Sequence, residues 1–504
     1  MIYGIKTGWA ETDITPEKPC SLQGQFAERI SEYVEKPVTA TALAFDSGND
    51  QAVFCSVDLV SVTEKLCERI KNNIRNNNEG LDVDKVIISA IHTHTGPGYT
   101  EREMSIESEV LTATGTFRNL LEENLPSGRK YVESAEITGN DNIITDEEMS
   151  ILLTEKVSEA IMTAWRNRKE SSFVSAFGRA PVGMCRRACY SDGSAQMWGN
   201  TDTAVFTELE GGNDSGIELI YVFDENKKLS GIVANLACPA QCVQHRLFVS
   251  PDFWGEVKML LRRHFGEEIF LLPLCSAAGD QCPVDLVRWV EPESDVHDPN
   301  ITRNNPKVRR ADPSMFDIAG MKKAGKRIAN EIIEVYNEGL FEEEESNEFV
   351  HEVHNFKLPL RRATLKDELE AKKAIREYFA DKEGDVDFND AANLQIYLGV
   401  LRRMRLQELI DVIDTEVHIL RIGNIAFATN PFELFLNYGN QIKARSRAEQ
   451  TFLVQLACGS LGYLPTEKAE KGKHYSAFIA SGKVGHEGGD LLVRNTLAEI
   501  NKLF

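Results

Sequence analysis

No apolar run in this 504-residue chain approaches the roughly 18 residues that a bilayer-spanning helix needs. The start, MIYGIKTGWAETDITP, lacks the basic stretch followed by an apolar one that marks a secretory signal. Positive charge is scarce. Lys and Arg total 56 against 78 Asp and Glu, a net charge of −22, and an acidic surface repels both nucleic acid and anionic membrane. The ten cysteines include no C-x₂-C pair of the zinc-ribbon kind, since Cys185/Cys189 and Cys238/Cys242 are spaced x₃. Repeats and low-complexity tracts are absent as well. These absences lead to an expectation of a cytoplasmic protein without nucleic-acid or membrane partners. Its cysteines should be buried, metal-binding or reactive rather than paired.

What is present is ordinary globular material, 42% hydrophobic and 27% charged. The length suits two to four domain-sized units or one large elaborated domain. Apolar runs predict strands over 41–46, 52–57, 86–88, 269–274, 417–420, 425–429 and 452–457, and a hairpin from 217–223 and 229–234. Helical spacing marks 62–77, 147–168, 253–265, 365–380 and 391–412. The alternation indicates a mixed α/β protein. A Pro/Asn/Asp/Arg-rich stretch, 291–313, reads as a functional loop or lid. The glutamate run in 339–347 reads as a lobe boundary or a solvated face.

The stretch IISAIHTHTGPGY, 87–99, sets two of only ten histidines where a strand gives way to a turn. If the extended conformation continues through Thr93, His92 and His94 leave the same face and point into one cleft. Neutral imidazole there suits zinc, although an H-x-H pair equally suits two hydrogen-bonded loop histidines. Four other segments carry reactive groups near strand ends. They are ANLACPAQCVQH (234–245), CSAAGDQCPVD (275–285), ATNPFELF (428–435) and GYLPTEKAEKGKHY (462–475). Each alone has an ordinary structural explanation.

Their order is more specific. GWAETDITP, HTHTGPG, GDQCP, a late glutamate and a Y-x-P-T loop together resemble the neutral/alkaline non-lysosomal ceramidase family, over essentially the whole chain. HTHTGPG, against the family's HTHSGPG, is the most specific piece. The resemblance implies a mixed-sheet α/β catalytic domain with flanking helices, spanning 1–504, and a zinc-dependent hydrolase of amide bonds. Carried over position by position, zinc would be held by His92, Glu433 and Tyr463. His94 would face the scissile carbonyl, and Tyr475, twelve residues after Tyr463, would support the oxyanion. A pocket arginine matches Arg186 or Arg187, with Arg187 taken as the candidate, and Asp280 of the GDQ turn would orient a neighbouring donor.

Two departures stand out. Where the family has the His-Pro of its second zinc histidine, this chain has Cys238-Pro239. A Cys238 thiolate, a displaced His245, or a lost metal all remain open. Where the family has a serine assigned as nucleophile, this chain has Cys282, a better nucleophile that also packs or binds metal. The expectation is a Zn²⁺ hydrolase of a C–N amide bond in a small soluble molecule. The rivals are a ceramidase-fold protein that binds a ligand without turnover, and a metal-dependent lyase or isomerase acting on a sugar-like substrate. The oligomeric state is not legible.

Overall fold

Strand and helix boundaries follow local chemistry. The TATALAFD segment, Thr39–Asp46, is buried on both faces, as is VIISA, Val86–Ala90; such runs settle as strands covered on both sides. The long helix Asp146–Arg166 starts where the Thr145 side chain accepts from Glu148 N and Glu148 reaches back to Thr145 N. This capping box satisfies two otherwise unpaired amides, and three acidic residues in the first turn complement the helix dipole. The computed structural model describes residues 2–26, 29–76, 79–99, 114–132, 142–288, 315–339, 348–380 and 382–504. The loop expected over 291–313 lies outside the described residues, as does nearly all of 339–347.

The larger sheet has eight strands: β1 (Ile2–Asp13), β2 (Thr39–Asp46), β3 (Gln51–Val57), β4 (Val86–Ala90), β5 (Lys169–Arg179), β6 (Gly216–Phe223), β7 (Leu229–Leu236) and β8 (Phe270–Cys275). Their order is β8-β7-β6-β5-β1-β2-β3-β4. Only the two outer pairs, β3/β4 and β7/β8, run parallel. Helices α1 (Glu64–Arg75) and α3 (Phe253–Phe265) make those crossovers, and α2 (Asp146–Arg166) and α4 (Asp317–Glu338) lie beside them in the same two apolar clusters. The hairpin expected from 217–223 and 229–234 is the antiparallel β6/β7 pair.

A second sheet contains β9 (Phe349–Pro359), β10 (Val412–Ile422), β11 (Ile425–Thr429) and β12 (Gln450–Val454), with β11/β12 parallel. The large sheet curls, so that Ser56 on β3 donates to the Pro273 carbonyl on β8 at 2.6 Å and Trp9 stacks on Phe270 with centroids 5.6 Å apart. The second sheet closes the concave side. Phe54 meets Phe427 at 4.9 Å, and Phe427 stacks on Phe452 at 4.5 Å. Each such buried ring contributes about 1.5–3 kcal/mol relative to exposure. Helices Leu436–Arg445 and His486–Leu503 cover the outer face of the second sheet. The order of layers is therefore helix, sheet, sheet, helix, a mixed α/β architecture as expected. Among the described residues no helix is long and apolar enough to cross a membrane.

Within these two sheets the described residues form three parallel pairs: β3/β4, β7/β8 and β11/β12. Backbone bonds bring their C-terminal ends together: Ala90 N to Leu456 O, Ser276 N to Leu236 O, Gln455 N to Cys275 O and Asn430 N to Val454 O. Open α/β sheets hold ligands at such ends.

Candidate active site

His92 lies two residues beyond β4, and its backbone has turned out of the extended region, with φ 64°. The expected strand continuation through Thr93 therefore does not occur. The left-handed conformation costs about 1–3 kcal/mol for a non-glycine residue and is characteristic of functional positions. The two imidazoles still meet, with centroids 5.0 Å apart and rings 70° to one another. His92 Nδ1 lies 2.7 Å from the Val60 carbonyl, which can only accept. The proton is thereby fixed on Nδ1, and Nε2 presents a lone pair. That lone pair faces Glu433 Oε2 at 3.3 Å and His94 Nε2 at 3.4 Å.

Glu433 leaves the short strand Glu433–Leu434, which pairs in parallel with Tyr463–Leu464 and so sets the two side chains side by side. Burial opposes the Glu433 charge. The neighbouring His92 imidazole, the Arg186 guanidinium and the hydrogen bond from Tyr463 outweigh it and hold the carboxyl below the usual range. Burial, followed by the Glu433 charge, pushes the Tyr463 phenol well above its ordinary value. Tyr475 completes the group: its hydroxyl is 3.5 Å from the Tyr463 hydroxyl, and the rings pack edge to face at 5.4 Å. Gly279 permits this closeness, because a Cβ there would lie 2.3 Å from the Glu433 carbonyl. Gly24, at φ 107°, lets the 20–30 loop press on the His94 ring, where a Cβ would meet Cγ at 2.5 Å.

The two adjacent arginines separate in role. Arg186 is buried in the cluster and donates to Gln241 Oε1 at 3.2 Å, the Gly279 carbonyl at 2.9 Å and the Tyr463 hydroxyl at 3.3 Å. Its Nε is buried with no hydrogen-bond partner among the described residues. Arg187, the arginine singled out from sequence, points elsewhere. It pairs with Glu210 at 2.8 Å and donates to the Tyr475 and Lys473 carbonyls at 2.9 and 2.7 Å. Arg187 holds the loop that carries Tyr475 and does not enter the cluster.

Gln241 is the residue that sequence reasoning missed. Because its Oε1 accepts from Arg186, its Nε2 donates to His94 Nε2 at 2.8 Å. His94 thus accepts at Nε2. Burial, then the neighbouring His92 and the positive charges of Arg29 and Arg186, keep its imidazole neutral, with a pKa well below the ordinary histidine value. Gln241 is one of three side-chain amides in ANLACPAQCVQH, with Asn235 and Gln244, so nothing in the sequence singled it out.

Cys238 does not join the cluster. Its sulfur contacts the Pro239 carbonyl at 3.5 Å inside an apolar core, and burial pushes the thiol well above its usual pKa. Among the described residues, only Glu416/His418/Cys458 and Glu352/His354/Glu499 bring three His, Cys, Asp or Glu ligand atoms within 4.8 Å of one another. His245, the alternative, stacks on Phe316 at 4.8 Å and faces Asp317 at 3.3 Å. Cys282 is fully buried beside Val284, and burial pushes its thiol up to about 12, so the reactive thiolate is suppressed. Asp280 accepts from Leu436 N at 2.8 Å, capping the helix that begins there. Asp280 also lines a cavity of about 280 Å³ with Glu210, Asn437, Lys468 and Asp490, and none of His92, His94, Glu433, Tyr463 or Tyr475 lines it.

The donor set suited to a metal is therefore His92 Nε2, the Glu433 carboxylate and the Tyr463 oxygen. The His92 tautomer is already fixed by an outer hydrogen bond, as ligating histidines usually are. Three protein ligands with one open position is the arrangement of catalytic rather than structural zinc.

No protein-family model and no curated protein matches the sequence. Solved structures do. The neutral ceramidase from Pseudomonas aeruginosa superposes with a TM-score of 0.66 at 15% identity, over 99% of this chain and 74% of that one. A ceramidase complexed with C2 gives a TM-score of 0.67 at 13% identity, over 99% and 75%. The chain has the neutral ceramidase-like fold.

Proposed function

We propose that the protein is a zinc-dependent hydrolase that cleaves the C–N amide bond of a small acylated molecule. The convergence of His92, Glu433 and Tyr463, with Tyr475 and Arg186 against them, carries this reading. The fold, shared with proteins named as ceramidases, supports it. Zinc bound by His92, Glu433 and Tyr463 would polarise the carbonyl and lower the pKa of its water toward about 7.

The remaining work falls to side chains. Arg186 and the Tyr475 hydroxyl donate to the oxygen that gains charge as water adds to the carbonyl carbon. His94, neutral and accepting at Nε2, takes the proton of the attacking water in place of the Gln241 amide. It then delivers that proton to the departing nitrogen as the C–N bond breaks. Carboxylic acid and amine are the products. Cys282, buried and protonated, has no part in bond making. The burial of Cys238 favours a second reading, a binding protein that has lost turnover. Both are tested by incubating zinc-loaded protein with N-acyl amides of graded chain length. Amine release that stops on chelation and returns with zinc is expected. Binding without release across the series would leave the second reading.

A further inference from the structure

Away from His92, three ligand groups converge where the second sheet meets the large one. Glu416 and His418 sit on β10, and Cys458 follows β12 in a left-handed conformation, φ 55°. His418 Nε2 is 3.1 Å from Glu416 Oε1 and 3.6 Å from Cys458 Sγ. Tetrahedral zinc, with bonds of about 2.0–2.1 Å to nitrogen or oxygen and 2.3 Å to sulfur, separates such atoms by about 3.3 and 3.6 Å.

The hydrogen-bond chain behind His418 fixes its tautomer. The Gln51 carbonyl can only accept, so His351 Nδ1, 2.9 Å away, carries a proton. His351 Nε2 is then an acceptor, and His418 Nδ1, 2.9 Å from it, must donate. A neutral His418 therefore aims the lone pair of Nε2 at a carboxylate oxygen. Two acceptors 3.1 Å apart repel unless a proton or a metal cation lies between them. Lys71, 2.9 Å from Glu416 Oε1, answers the carboxylate charge from α1.

We propose that Glu416, His418 and Cys458 form a structural zinc site, separate from the catalytic cluster, with water as fourth ligand. The donation from His418 to His351 is the outer-shell bond that orients ligating histidines. Such a site fastens β10 to the segment that leads to Tyr463. It also fastens β4, because Cys458 N donates to the Ile88 carbonyl at 2.8 Å, four residues before His92.

The test uses the full chain, stripped with a chelator and reloaded with Co²⁺. A thiolate-to-cobalt charge-transfer band is expected in the wild type, in His92→Ala and in Cys238→Ser, and is lost in Cys458→Ser. Zinc content should fall by one equivalent in Cys458→Ser, and independently by one in His92→Ala. Glu416→Gln, which keeps shape and fold, should weaken zinc at this site by more than the roughly 10–100-fold that follows loss of an outer-shell partner. It provides the decision if Cys458→Ser does not fold. The proposal is overturned by a wild-type cobalt spectrum without the band, by a band that persists in Cys458→Ser, or by unchanged zinc affinity in Glu416→Gln.

Discussion

His92 illustrates how much of the site depends on single atoms. One carbonyl, Val60 O, fixes its tautomer, and the lone pair left over is the proposed ligand. His92→Ala is expected to lose one equivalent of zinc while retaining its far-UV circular dichroism; full retention of zinc would remove His92 from the set. Tyr475→Phe deletes only an oxyanion donor, so kcat should fall about 10²–10³-fold with zinc content unchanged. Wild-type kcat in that variant would end the role assigned to the hydroxyl. His92, Glu433, Tyr463 and Tyr475 were legible as a motif order with a preserved twelve-residue spacing. Cys238 and Arg187 lie outside the cluster. Neighbouring residues in extended chain face opposite ways, and sequence alone does not say which of Arg186 and Arg187 faces inward or that Gln241 takes the space beside His94.

Elements hold these atoms in place through a few buried charges and close approaches. On β1, Glu11 binds Lys258 and Arg262 of α3 at 2.9 and 2.8 Å. Burial would raise its pKa, but the two cations outweigh this and bring it from 4.5 to about 2. A depressed carboxyl stabilises the fold fully above pH 4.5, and that stabilisation fades as pH falls toward 2. Glu11→Gln should lower stability by about 2 kcal/mol at neutral pH, with less difference from wild type in acid, as read by urea denaturation at both pH values. Equal losses at both would contradict the linkage. Gly279→Ala should cut kcat/KM by more than tenfold through displacement of Glu433 and lower the melting temperature as well, because the added Cβ meets backbone; wild-type kcat/KM and melting temperature would contradict the close approach. Helices with clear apolar stripes, such as Phe253–Phe265, were legible at their ends, whereas 391–412 closes six residues early, at Leu406. The strand Lys169–Arg179 was not read because serines occupy half of its buried middle, and Phe349–Pro359 because charged and polar residues interrupt its apolar positions.

At the scale of the whole molecule, the aromatic contact between the sheets is expected to make the two halves one cooperative unit. Phe427→Ala should cost about 3–5 kcal/mol, with a single unfolding transition and no early loss of either sheet. Separate transitions would show that the sheets unfold independently. The layered α/β class was readable from alternation alone. The curl of the large sheet was not, since it arises from contacts such as Ser56 to Pro273 between residues over two hundred positions apart. The segment Gln455–Cys458 has a consequence of its own. It bonds to Ile88 and Ala90 on one outer strand and to Cys275 on the other. Outer strands are the rails on which other chains polymerise when left open. One four-residue stretch therefore blocks both rails at the same end, and damage to it would be felt first as aggregation, before any loss of chemistry.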